Sequence, residues 1–209
     1  MAGQNDRVSE LLAEVWMSWA ERGATLSAED WDRPTRLSEW TVRDLYAHVA
    51  PAPGQFAELR EAVVEGPAGL TGGAEILRLF NQPGGLAHTA AGQIAEMAKE
   101  TAKATEPAVL IARFGTEGPA ALAGIADLAP DTVVAHQLLG KVTVGALGEL
   151  ALMEATVHLL DLVAAVGGPA PAEGALHFTR GLLAEAADPV AFIEAAAGRG
   201  SEPVLPIIR

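Results

Sequence analysis

The residues best equipped for chemistry stand close together in the run GELALMEATVHLLDLVAAVG at 148–167: a carboxylate at Glu154, an imidazole at His158 and a second carboxylate at Asp161. Between Leu150 and Val166 the only polar residues are these three and Thr156. On a helix that turns about 100° per residue, His158 falls about 40° to one side of Glu154 and Asp161 about 20° to the other, so all three share one stripe. Glu149 projects from the far side. A helix that is apolar nearly all the way round is normally buried, and ionisable groups carried inside must be paired, hydrogen-bonded or bound to a metal. The stripe therefore reads as a site. It also reads, on spacing alone, as a Glu154/His158 pair on a half-exposed edge with Asp161 solvated near the helix end.

A second candidate donor lies far upstream. Thr41-Val-Arg-Asp44 has the spacing of a capping box with Asp in place of Glu, and it opens a helix TVRDLYAHVA that Pro51 stops. Val42, Leu45 and Val49 form the apolar face of that helix, and His48 sits at its edge. There a ring nitrogen can face inward, although a lone histidine in such a place is ordinarily structural. The preceding stretch TLSAEDWDRPTRLSEW has Ser27 to cap a short turn and Pro34 to break any long helix, with Trp31 and Trp40 as apolar anchors of a packed loop.

These residues need a frame, and the frame reads as helical. Residues 5–22 place Val8, Leu11, Leu12, Val15, Trp16 and Trp19 on one face and end at Gly23. After the Pro51, Pro53, Gly54 break, FAELREAVVEG predicts a helix to about residue 65, followed by the connection GPAGLTGG. Helices are expected over 74–80 and 86–104 around NQPGG, with an exposed His88 near the start of the second. Residues 106–128 read as helix interrupted near FGTEGP by Gly115, Gly118 and Pro119, a connection that could serve as a lid but lacks the lysine and spacing of a phosphate loop. The Val- and Leu-rich DTVVAHQLLGKVTVG fits either a short helix or a strand. GGPAPAEG is the clearest boundary, dividing residues 1–168 from a 169–209 segment read as two short helices and a terminal strand at PVLPIIR.

Composition narrows the classes. With 27 acidic against 14 basic residues and a net charge of -13, binding to nucleic acid or to an anionic membrane surface is disfavoured. There is no cysteine, so the chain can form no disulfide and offers no thiolate of its own; the expectation is a reducing, cytoplasmic setting. The polar MAGQNDRVSELLAEVW at the start lacks the order of a secretory signal, and charged side chains in the most apolar run oppose a membrane span. Alanine-rich sequence with 50% apolar residues and only 5% aromatics points to an all-α fold.

Two phrases carry a resemblance. DWDRPTRLSEWTVRDLYAHVA at 30–50 resembles the N-terminal signature of the DinB-like, mycothiol-dependent maleylpyruvate isomerase family, and EATVHLLDLVAAVG at 154–167 is similar to its second signature, E-x-x-x-H followed by Asp-Leu and Gly. The resemblance covers roughly 5–168 and implies a four-helix bundle, here with a short C-terminal appendage. It also implies a divalent metal, usually zinc, with His48, Glu154 and His158 as ligands. Two histidines and a carboxylate make an open zinc site, able to lower the pKa of a thiol, polarise a carbonyl or activate water. In the family the thiol is a small cofactor such as mycothiol, and its addition to a conjugated double bond allows cis to trans rotation before it leaves. Asp161 reads either as a residue orienting a ligand or as an ordinary hydrogen-bonded Asp.

The resemblance thus implies a metal-dependent isomerase or thiol transferase acting on a small electrophilic metabolite. Alternatives are a metal-assisted hydrolase or lyase-type step, or a non-catalytic bundle that binds a small ligand; a homodimer through apolar helix faces fits either class. Two departures from the family stand out. Only residues 169–209 follow the boundary, where the isomerase that names the family has a longer C-terminal domain, and Pro51-Ala-Pro53 interrupts the helix directly after His48. Neither Arg180 nor any other basic residue is assigned to a substrate carboxylate.

Overall fold

The computed structural model describes residues 2–199, and it is mostly helical. In chain order the helices are α1 (Ala2–Gly23), α2 (Ala28–Trp31), α3 (Val42–Val49), α4 (Gln55–Glu61), α5 (Gly73–Asn81), α6 (Leu86–Thr89), α7 (Ala91–Ala104), α8 (Pro107–Ala112) and α9 (Gly118–Gly124). A hairpin follows, β1 (Val133–His136) and β2 (Gly140–Thr143), then α10 (Val144–Val166), α11 (Glu173–Ala186) and α12 (Pro189–Ala196). The bundle is made by α1 lying along α10, α3 along α7, α10 against α3, and the α8–α9 region against α1. No described helix is long and apolar enough to cross a membrane.

The apolar stripe of α1 meets the expectation residue by residue: Val8, Leu11, Leu12, Val15, Trp16 and Trp19 are all buried in the main core. Trp19 stacks on Phe114 with ring centroids 5.1 Å apart and meets Tyr46 edge-on at 4.8 Å. A buried aromatic cluster of this kind contributes its large apolar area and a directional preference between rings. It also carries polar handles: the Tyr46 hydroxyl donates to the Trp19 carbonyl at 2.9 Å, and Trp19 Nε1 donates to the Ala155 carbonyl at 3.0 Å. A single tryptophan thereby fastens α1 to α3 on one side and to α10 on the other.

Several local expectations are changed or settled. The helix read through to residue 65 stops at Glu61, because Val63 and Val64 leave it to extend the hairpin: Val64 N–H donates to the Val133 carbonyl at 2.9 Å and Ala135 N–H to that of Ala62 at 2.8 Å. β-branched residues with a strand edge available gain more there than in a further helical turn. The ambiguous segment after Pro130 is that antiparallel hairpin, with Val134 opposite Val142 and both buried. The helix read from 86 to 104 is divided at Ala90 into α6 and α7.

The glycine-rich stretch FGTEGP forms no loop. It is a π-helical turn, Arg113–Glu117, in which Gly118 N–H bonds to the Arg113 carbonyl, so α8 runs on into α9. The widened turn ends where α9 begins at Gly118, with Pro119, which has no N–H to place, in its first turn. The glycines allow close approach to α1: a Cβ on Gly115 would lie 3.0 Å from that of Ala20, and one on Gly118 would lie 2.8 Å from Trp16. The lid reading is corrected accordingly, since Phe114 within this turn is fully buried.

Beyond α10, residues 167–172 carry no regular structure, and α11 returns against α10, α5 and α1, burying Ala175, Thr179 and Leu182. α12 lies over the stretch read as PVAFIEAAAG. The terminal strand expected at PVLPIIR falls outside the described residues.

Candidate metal centre

His48 reaches the site because α3 is capped as its sequence predicts. The Thr41 hydroxyl accepts from Asp44 N–H at 3.2 Å while the Asp44 carboxylate accepts from Thr41 N–H at 2.8 Å, which fixes where the helix starts and hence which way its last turn points. Val42, Leu45 and Tyr46 are fully buried on one face, and His48, at the edge of that face in the last turn, points toward α10. Ala50 N–H closes the helix on the Tyr46 carbonyl before Pro51.

Glu154 and His158 sit one turn apart on α10, with Leu152, Met153, Ala155 and Leu159 buried around them. His158 Nε2 lies 3.3 Å from Glu154 Oε2, and His48 Nε2 lies 4.0 Å from the same oxygen. One donor atom from each of the three residues falls within 4.8 Å of the other two. Ligand atoms about 2.0–2.2 Å from a tetrahedral zinc stand roughly 3.3–3.6 Å from one another. The Glu154/His158 spacing already meets that condition, and His48 needs only a small inward movement. The side chains are 26% (His48), 43% (Glu154) and 14% (His158) exposed, so the donors are held by the protein on one side and open to solvent on the other. That is the donor chemistry and the access of an open metal site.

Asp161, expected on the same stripe, lies behind the cluster rather than in it. Its Oδ2 accepts from His158 Nδ1 at 2.7 Å, which leaves Nε2 as the nitrogen facing Glu154. Its other oxygen, Oδ1, accepts from Arg36 Nε. Arg36 is a residue the sequence reading passed over: it belongs to the loop before α3, 125 positions from Asp161, and no local spacing connects the two. Trp40, in the same loop, meets the His48 ring edge-on at 4.9 Å and stacks on that of His158 at 6.4 Å, forming an aromatic wall to the cluster. Glu149, on the far side of α10 as expected, accepts from Gly73 N–H at 2.8 Å at the start of α5.

The electrostatics divide the two histidines. Burial and the adjacent His158 push His48 down to about 4, against a weaker upward pull from Glu154, so its ring is neutral with a free lone pair. Burial acts against the charge on His158 as well, but hydrogen bonds to Asp161 and Glu154 outweigh it and raise that group to about 9. Burial likewise opposes ionisation of Glu154 and Asp161. Bonds from His158, and from Arg36 to Asp161, prevail and hold both carboxyls below their ordinary range. Without a metal the two carboxylates favour a proton on His158, and a cation on the Glu154 side would compete with it for Nε2.

A mostly helical bundle that converges two imidazoles and a carboxylate from two helices on a solvent-facing point belongs to the class of candidate metal-binding bundles. Residues 12–163 match the family model for the mycothiol maleylpyruvate isomerase N-terminal domain, and the chain belongs to that family. No curated protein and no solved structure matches it.

Proposed function

We propose that the protein is a metal-dependent enzyme of this family that carries out a thiol-dependent transfer or isomerisation on a small electrophilic metabolite. The observation that carries the reading is the approach of His48, Glu154 and His158 to within 4.8 Å on an open face of the bundle. In this reading those three side chains hold a divalent cation, zinc being the ion best suited to two imidazoles and one carboxylate. When bound, the ion supplies a Lewis acid that can lower the pKa of a small thiol or of water at neutral pH.

The chain's own residues supply the rest. His48 presents a neutral nitrogen and needs no deprotonation. Asp161 holds His158 Nδ1, so the donor nitrogen is Nε2 and its ring is oriented before any ligand arrives. Trp40 walls one side of the cluster with its ring, and in this reading that ring is the apolar surface for the carbon skeleton of a substrate. Because the chain contains no cysteine, the thiol in this reading is an external cofactor, mycothiol being the family's own. A small molecule is the expected partner, and the net charge of -13 disfavours nucleic acid in that place.

The test is metal analysis of the purified protein followed by activity assays with and without a small thiol. One divalent ion per chain, lost together with activity in His158→Ala, is the expected result. Full activity in the metal-free variant would refute the reading. Activity that needs the metal but no added thiol would instead assign metal-assisted hydrolysis or elimination, and a metal retained without any turnover would assign a non-catalytic ligand-binding bundle.

A further inference from the structure

We propose that Arg36 is a positioning residue of the metal centre, acting through Asp161 to fix the ring of His158. The inference rests on the reading above that His158 is a ligand. The connection is a continuous line of hydrogen bonds: Arg36 Nε to Asp161 Oδ1, Asp161 Oδ2 to His158 Nδ1 at 2.7 Å, and His158 Nε2 facing Glu154 at 3.3 Å.

Asp161 is the reason a second partner is needed. Its side chain is only 4% exposed, so an oxygen left without a donor would be a nearly buried, unpaired charge-bearing atom. The terminal torsion of an aspartate is soft, and a carboxylate held at one oxygen can swing. Held at both, it presents Oδ2 to the imidazole in one direction only. Arg36 has the geometry for this, since a guanidinium Nε–H is a directional donor on a planar group.

An arginine that is 57% exposed would ordinarily be too mobile to position anything. Here the loop that carries it is closed on itself. Val42 N–H bonds to the Arg33 carbonyl at 2.9 Å, Thr35 N–H to that of Trp40 at 2.8 Å, and Pro34 pairs with Thr41. The Thr35 hydroxyl adds a bond to the Trp40 carbonyl at 3.0 Å and accepts from Leu37 N–H at 3.2 Å. Glu39 takes a left-handed conformation, φ 64°, to complete the turn. The same closed loop sets Trp40 against both imidazoles, so the wall of the site and the brace behind its ligand are placed by one piece of backbone.

The experiment is cobalt(II) binding to the full chain, followed by visible absorption, which reports both affinity and ligand geometry. Removing a partner behind a ligand typically weakens metal binding by about 10–100-fold. Arg36→Ala should therefore weaken cobalt binding by about tenfold or more and alter the absorption bands, while the metal-free protein stays folded but melts below the parent because Asp161 Oδ1 is left unpaired. Arg36→Lys should recover part of the affinity, because an ammonium can face Asp161 without the directional Nε–H. In an Asp161→Asn background the Arg36→Ala change should have little further effect, as expected of two residues acting in series. Unchanged affinity and spectrum in Arg36→Ala, with the parent protein binding cobalt, would overturn the positioning role and leave the metal reading standing. So would fully additive losses in the double variant. A parent protein that takes up no cobalt would instead overturn the metal reading itself.

Discussion

Metal binding to this site should be a proton exchange, and its pH dependence can be worked out from the two histidines. His158 is raised to about 9 in the metal-free protein, so at pH 7 roughly 99 in 100 molecules carry its extra proton. His48 is lowered to about 4 and carries none. A cation that takes His158 Nε2 must displace that proton, whereas His48 and the ionised Glu154 give up nothing. Since the pKa of His158 is raised, the protonated form competes with the metal below about pH 9, and the competition ends above it. Apparent affinity should thus fall about tenfold per pH unit from 9 toward 7, a total of about 100-fold or ~2.7 kcal/mol. Calorimetric titration with zinc at pH 7 in buffers of different ionisation enthalpy should show close to one proton released per ion, and chelator competition from pH 6.5 to 9.5 should show the slope flattening near 9. Release of no proton, or an affinity flat across that range, would mean that His158 is not the group displaced.

Two further outcomes concern the frame. Gly118→Ala should destabilise the fold by about 1–3 kcal/mol, because the added methyl meets Trp16 at 2.8 Å and the Arg113 carbonyl at 2.9 Å in a fully packed contact; urea unfolding measures it, and a neutral result would mean that α9 can shift off α1 freely. Thr41→Ala should cost about 0.5–2 kcal/mol of stability through loss of the α3 cap, and it should weaken metal binding as well, since the cap sets the direction of His48; a stability loss with unchanged zinc affinity would separate the two.

Much of the bundle was readable because its strongest signals are local. The α1 stripe from Val8 to Trp19, the Thr41/Asp44 cap and the apolar run of α10 each lie within a few turns of chain, and each folds as its own spacing dictates. The misread parts depend on distant partners. Val63 and Val64 look like the end of a helix until a strand edge at Val133 is brought beside them. Gly115, Gly118 and Pro119 mark a real interruption of the α-helix, but that it is a packed π-helical turn rather than a lid follows only from Trp16 and Ala20 lying against it. The site divides in the same way. Glu154, His158 and Asp161 share a helix face and could be grouped by arithmetic, whereas His48 was joined to them only through the family resemblance. Arg36 lies inside the 30–50 phrase of that resemblance, yet no spacing marks it as the partner of Asp161. Its meaning lies in one bond across 125 positions of chain.

Trp19 has a bearing on how quickly the site can respond to its surroundings. Its carbonyl is bonded to Tyr46, two residues before His48, and its indole to the carbonyl of Ala155, next to Glu154. The two ligand-bearing helices are therefore tied to each other through α1, by the Tyr46 phenol on one side and the Trp19 indole on the other, in the dry interior, whether or not anything occupies the surface above. A cation arriving from solution meets donors that already stand near their working separation, so capture should proceed at a rate governed by encounter and proton loss rather than by slow rearrangement of the helices.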